Sequence, residues 1–179
     1  MKGLKNIHHI QQVISQDTCK KIVVSLVLSK LDYCNSLLSR TTKENMKTLQ
    51  KFQNYAARLV LTKSRSDKAI PLLMNLHWLP VDHRVKFKIA TLVYRRLHGA
   101  APEYIDDLLQ QHQHGRSLRS SSDIHRLAIP RARLRAEDRS FQVSGPTIWN
   151  SLPHSIKLAP SLDTSKKKLK TFLFLNAFS

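Results

Sequence analysis

From Asp17 to Leu38, the apolar residues Val23, Val27, Leu31, Cys34 and Leu38 recur at helical spacing, and Val24 and Leu28 widen the stripe. So broad an apolar face predicts a helix laid into a core. Thr41-Thr42-Lys43-Glu44 has the pattern of a capping box: a threonine hydroxyl takes one orphan backbone N–H, and the glutamate reaches back for another. The helix it opens should run to about Leu61. Met46, Leu49, Phe52, Ala56, Leu59 and Val60 make its inner face, with Lys47, Lys51 and Arg58 on the other side. The link from Leu38 is short, so the two helices should pack as an antiparallel hairpin.

"TKSRSD" (residues 62–67) is a basic loop, and "AIPLLMNLHWLP" predicts a short helical turn ended by Pro80. Asp82 can cap a third long helix, with Val85, Ile89, Leu92, Val93 and Leu97 inward and Arg84, Lys88 and Arg95 outward. Gly99 is a natural stop. "PEYIDDLLQQ" is expected to form a short helix opened by Pro102. Tyr104, Ile105, Leu108 and Leu109 make its apolar side, and Asp106 and Asp107 lie largely outside it.

The pattern loosens from His112. Leu127 and Ile129 alternate, which suits a short strand near "HRLAIPR", confined to an edge by Pro130. "SFQVSGPTIWNSLP" suggests a docking turn around Trp149. A last helix follows, capped by Ser161, with Leu162, Leu169, Phe172 and Leu173 on one face. The expected fold is therefore mostly α: a helical hairpin plus further packed helices, with a basic, partly irregular C-terminal lobe. The expected organisation is a tail over 1–14, a helical domain over 15–111, an arginine-rich linker over 112–139, and the docking turn with a basic helix over 140–179.

Charge changes this picture most. The 179 residues carry a formal net charge of +18, so the chain repels itself when compact and seeks a polyanion. Arg116, Arg119, Arg126, Arg131, Arg133 and Arg135 crowd a segment with few acids. Guanidinium forks bind phosphate bidentately, so these six are the first candidates for nucleic-acid binding. Lys166, Lys167, Lys168 and Lys170 form a second candidate group; a lysine-rich helix face also suits plain solvation.

Other chemistry finds little footing. His112-x-His114 is the one close histidine pair, with no cysteine or acid cluster at ligand spacing, so neither a metal nor a cofactor is expected. Cys19 and Cys34 are expected on one helix as free, buried thiols, which fits a reducing compartment. Trp78 and Trp149 stand among Leu and Pro, which favours packing over base stacking. The longest apolar run, Ile22–Leu28, is too short to span a membrane, and the N-terminus lacks the apolar segment of a secretory signal. A cytoplasmic or nuclear location is expected.

Tyr104-Ile105-Asp106-Asp107 matches the aromatic-x-Asp-Asp turn that carries metal in reverse-transcriptase palms. Two-metal chemistry needs carboxylates converging from different elements, and no strand pair is predicted around this one. It is expected to be non-catalytic.

"LVLSKLDYCNSLLS", "LQKFQNYAARLV", "PLLMNLHWLPVDHRVKFKIATLVYRRLHGAAPEYIDDLL", "LRSSS", "IPRARLRAEDRSFQVSGPTIWNSLPHSIK" and "SKKKLKTFLF" occur in that order. As a set they resemble the C-terminal part of the polyprotein of non-LTR (LINE-type, jockey-like) retrotransposons, from about Ser15 onward. The resemblance implies a region downstream of the palm, with thumb-like helices and no catalytic or endonuclease residues of its own. It also implies a part in holding template RNA. The expected function is non-catalytic binding of RNA or an RNA–DNA hybrid. The alternatives are a fragment of an RNA-directed DNA polymerase that is inert without its palm, and a helical protein-interaction module. A missing palm domain or a second copy would be the protein partner, and a membrane is not expected to be one.

Overall fold

A computed structural model describes residues 7–39, 41–111, 125–131 and 140–179. Over these residues the chain is mostly helical and contains no strand; an isolated antiparallel bridge, Gln111 to Leu127, stands where the short strand was expected. The helices are α1 (Gln16–Val23), α2 (Ser29–Asp32), α3 (Lys43–Val60), α4 (Ala69–Asn75), α5 (Val81–Leu97), α6 (Glu103–Asp106), α7 (Phe141–Asn150), α8 (His154–Lys157) and α9 (Leu162–Phe178). Two compact units emerge. One holds the described residues of Met1–Asn35, Thr42–Arg84 and Phe174–Ser179; the other holds those of Ser36–Thr41 and Val85–Leu173. The boundaries foreseen from composition follow the chain, whereas these units divide α5 and α9.

In the first unit, Ser15 caps α1 by accepting the Thr18 N–H at 3.2 Å. Helix α1 passes through a π-helical turn, Val24–Leu28, into α2. That wider turn shifts the phase of the apolar stripe. Cys19, Val23 and Leu28 are buried, Val27 and Leu31 only partly so, and Val24 faces solvent. The helix expected to reach Leu38 ends at Asp32. Tyr33 is extended, Cys34 is left-handed with φ 49°, and a 3-10 turn follows over Asn35–Leu38. Cys34 is therefore exposed, against expectation; Cys19 alone is a buried thiol, and burial raises its pKa.

Helix α3 is capped by Thr42, whose hydroxyl accepts the Asn45 N–H at 3.3 Å. The cap sits one residue later than the capping box required, so Glu44 falls at the second helical position and pairs with Lys47 on the surface instead. Ala56, Ala57, Leu59 and Val60 join Cys19, Val23, Leu28, Leu72, Leu73, Leu76 and Trp78 in one core. Ile7 also packs there, within a stretch assigned from sequence to a tail. Gln53 is fully buried on the same face, which no apolar pattern foretold. Its Nε2 donates to the Leu79 carbonyl at 2.8 Å. Gln50 accepts the Val81 N–H at 2.9 Å and donates to Gln53 and Asn54. This amide ladder satisfies the backbone where Pro80 leads into α5, an obligation for any buried polar group. Pro80 thus precedes α5, while α4 is closed earlier by Leu76 and His77.

Arg84, expected on an outer face, is four-fifths buried and forks both oxygens of Asp32. Asn35 donates to the same carboxylate at 3.4 Å. These contacts hold the chain where the first helix breaks off.

In the second unit, Val85, Ile89, Ala90, Val93 and Tyr94 of α5 are buried, and Leu92 is only partly so. Gly99 closes the helix with φ 65°: its N–H reaches the Arg96 carbonyl, and the Ala100 N–H reaches that of Arg95. The stretch expected as a docking turn is the ten-residue helix α7. Gly145 lets α7 approach closely. A Cβ there would stand 3.3 Å from Leu109 Cδ2 and 3.4 Å from Val93 Cγ2. The Tyr94 hydroxyl donates to the Ala159 carbonyl at 2.6 Å, and burial raises its pKa. Ser161 caps α9, accepting the Thr164 N–H at 3.2 Å, and Leu169 and Leu173 are buried beneath it.

Candidate nucleic-acid interface

Two described stretches of the second unit carry the cations singled out from sequence. Segment 125–131 is held by α7. Trp149 is buried and donates its indole N–H to the His125 carbonyl at 2.8 Å. Asn150 accepts the Leu127 N–H at 3.0 Å and donates to its carbonyl at 2.9 Å, so a side-chain amide pairs with backbone as a neighbouring strand would. On the opposite side, the Ala128 N–H reaches the Gln110 carbonyl at 2.9 Å. Leu127 is buried by these contacts, while Arg126 and Arg131 on either side of it are exposed. Neither arginine has an ion-pair or hydrogen-bond partner among the described residues. Arg116, Arg119, Arg133 and Arg135 lie outside the described residues.

The second stretch is the first half of α9. Lys167, Lys168 and Lys170 are exposed and Lys166 is partly so. Lys166 stands 3.9 Å from Asp163, the one acid on this helix, and Lys168 donates to the Ser155 carbonyl at 3.2 Å. Lys167 and Lys170 have no partner among the described residues. Like charges three and four residues apart destabilise a helix by a few tenths of a kcal/mol, roughly 0.2–0.5 per pair, and a bound polyanion would relieve that repulsion. Arg126 and Arg131 stand on a different segment from the α9 lysines.

Of the Asp-Asp pair, Asp106 makes a contact within the fold. Asp106 lies 3.4 Å from Arg96 Nε, pinning α6 to α5. Asp107 and Tyr104 are exposed, the latter against the expectation that it faces inward. Among the described residues no group of three His, Cys, Asp or Glu side chains could hold a metal ion, and no helix is long and apolar enough to cross a membrane. Trp78 and Trp149 are both buried, as their apolar neighbours suggested. Lys63 and Arg65, passed over in the sequence as an ordinary basic loop, line a cleft of the first unit. Their signal was two cations within the six residues that follow a helix. No protein-family model, curated protein or solved structure matches this chain.

Proposed function

We propose that the chain binds nucleic acid without catalysing a reaction on it, taking RNA or an RNA–DNA hybrid, and that it descends from the C-terminal region of a non-LTR retrotransposon reverse transcriptase. The observation that carries this reading is the presentation of Arg126 and Arg131. Both are solvent-exposed and have no partner among the described residues, and Arg126 lies between His125 and Leu127, which Trp149 and Asn150 clamp, in a chain of net charge +18. A clamped segment loses less conformational entropy on binding than a free arm, so more of the phosphate attraction appears as affinity. Guanidinium groups suit that task through planar, bidentate contact with phosphate.

The test is affinity against salt on one RNA and one DNA duplex. Replacing Arg116, Arg119, Arg131, Arg133 and Arg135 with alanine should weaken RNA binding far more than replacing Lys166, Lys167, Lys168 and Lys170. Each lost phosphate contact should lower the salt slope by roughly 0.7–0.9. Lysine at the five arginine positions should restore only part of the affinity. A larger loss from the lysine set, or wild-type binding by the arginine variant, overturns the assignment of the interface to the arginines.

A second reading rests on Val24, Leu26 and Tyr33, which are large and exposed, Tyr33 at 81%. They would suit a helical module that docks on a further protein domain. Sedimentation showing self-association at low micromolar concentration, lost in Leu26→Ser, would favour it.

A further inference from the structure

The end of α3 and the loop after it border a basic cleft of about 520 Å3, a volume within the range of small-ligand sites. Its lining includes His8, Tyr55, Arg58, Thr62, Lys63 and Arg65, with no carboxylate among the described residues that line it. We propose that this cleft seats one unit of single-stranded nucleic acid, with a phosphate against Lys63 and Arg65 and the base against the ring of Tyr55. The proposal rests on the nucleic-acid reading above and assigns it a contact surface in the other unit.

The loop is built rather than slack. Helix α3 closes through Thr62, left-handed at φ 52°: its N–H reaches the Leu59 carbonyl at 3.2 Å, and the Lys63 N–H reaches that of Arg58 at 2.9 Å. A β-branched residue pays for that conformation, and glycine is the usual occupant. Gln11 compensates by donating to both the Leu59 carbonyl, at 2.8 Å, and the Thr62 hydroxyl, at 3.0 Å. Arg58 donates from Nε and Nη2 to the Asp67 carbonyl at 3.1 and 2.8 Å, which leaves Nη1 without a partner among the described residues. The Asp67 carboxylate is occupied by the Ser64 N–H at 2.7 Å.

Lys63 and Arg65 thus stand exposed on a fixed loop, with no partner among the described residues. Two free cations beside a partly buried guanidinium with spare donors make an anion site. Tyr55, 37% exposed at the same cleft, adds a flat face on which any base can stack. Phosphate with an adjoining base is the ligand chemistry that uses both features.

The experiment measures binding of the full chain to a short oligouridylate, to the same strand without bases, and to phosphatidylserine vesicles, each across a salt series. Lys63→Ala with Arg65→Ala should weaken oligouridylate binding at least severalfold and lower the salt slope by about 0.7, the share of one neutralised phosphate on a single strand. Both side chains are exposed and have no partner among the described residues, so the unfolding midpoint should not move. Tyr55→Leu should weaken oligouridylate binding about fivefold or more and leave the baseless strand unaffected, while Tyr55→Phe, which keeps the ring, should bind as wild type. Wild-type affinity and slope in the double variant would overturn the cleft and leave the general nucleic-acid reading standing. Failure of the wild type to bind any strand would overturn both. Losses confined to the vesicles would assign the cleft to a lipid headgroup and overturn the proposal. Equal losses from Tyr55→Phe and Tyr55→Leu would overturn the stacking role.

Discussion

Asn150 holds both backbone groups of Leu127, accepting its N–H at 3.0 Å and donating to its carbonyl at 2.9 Å. An asparagine amide has the same donor and acceptor arrangement as a peptide unit, so one side chain does here what a strand partner would do. It lets a segment that joins no sheet among the described residues bury Leu127 without orphaning that residue's backbone. Trp149, its neighbour in α7, anchors the same segment at His125.

Asn150→Ala should therefore destabilise the protein by about 1–3 kcal/mol, since it leaves two partly buried backbone groups without their partner. Asn150→Asp can still accept the N–H but cannot donate to the carbonyl, and should fall between. Urea denaturation with a two-state fit measures both. An alanine variant as stable as wild type would mean that water replaces the amide at no cost.

Replacing Asp106 and Asp107 with asparagine should leave nucleic-acid affinity unchanged or slightly higher, because two negative charges go. The stability loss should be about 0–1 kcal/mol, from the half-exposed pair of Asp106 with Arg96. Metal-dependent nucleotide incorporation by the wild type, abolished in the double variant, would make the pair catalytic after all.

Leu92 and Ile89 lie on the same helix, both assigned inward from sequence, yet only Ile89 is fully buried. Ile89→Ala should cost about 2–5 kcal/mol and Leu92→Ala distinctly less, since less surface returns to water. Thermal unfolding of the two variants side by side gives the comparison, and a larger loss at Leu92 would reverse the assignment.

The two thiols should separate under alkylation in native conditions. Cys34 is exposed and should react at once, whereas Cys19 should react only as the fold opens. Burial raises the Cys19 pKa, so its protonated form is the one the fold accommodates. Its contribution is intact below the ordinary thiol range and declines as pH rises above it, because the unfolded chain then ionises first. Cys19→Ala should flatten that alkaline decline in stability. A decline unchanged in the variant would assign it to other groups, the buried Tyr94 among them.

Local periodicity was enough to place α3 and α5 within a residue or two and to find the start of α9, because each repeats its apolar positions over about three turns or more. Ser161 and Gly99 were legible as helix ends because residue type alone signals them. Thr62 and His77 close helices in the same left-handed manner, with φ 52° and 54°, and neither residue type announces it. The first helix was overextended because its stripe continues through Leu38 in sequence, while a π turn changes its phase and Arg84 draws Asp32 into a distant pairing.

Of the candidate interface, the sequence showed which cations are dense. It could not show that Arg126 lies beside a clamped leucine, nor that Lys63 and Arg65 line one cleft with Tyr55. By itself the sequence determined a helical class and a strong positive charge, since propensity, periodicity and composition act over neighbours or over the whole chain. The tertiary structure alone decided the positions of Gln53, Arg84 and Asn150. Polar side chains like these fit a helix surface or a core equally well by pattern. They go inside only where a backbone or carboxylate partner, dozens of residues away for Gln53 and Arg84 and 23 away for Asn150, offsets the cost of leaving water.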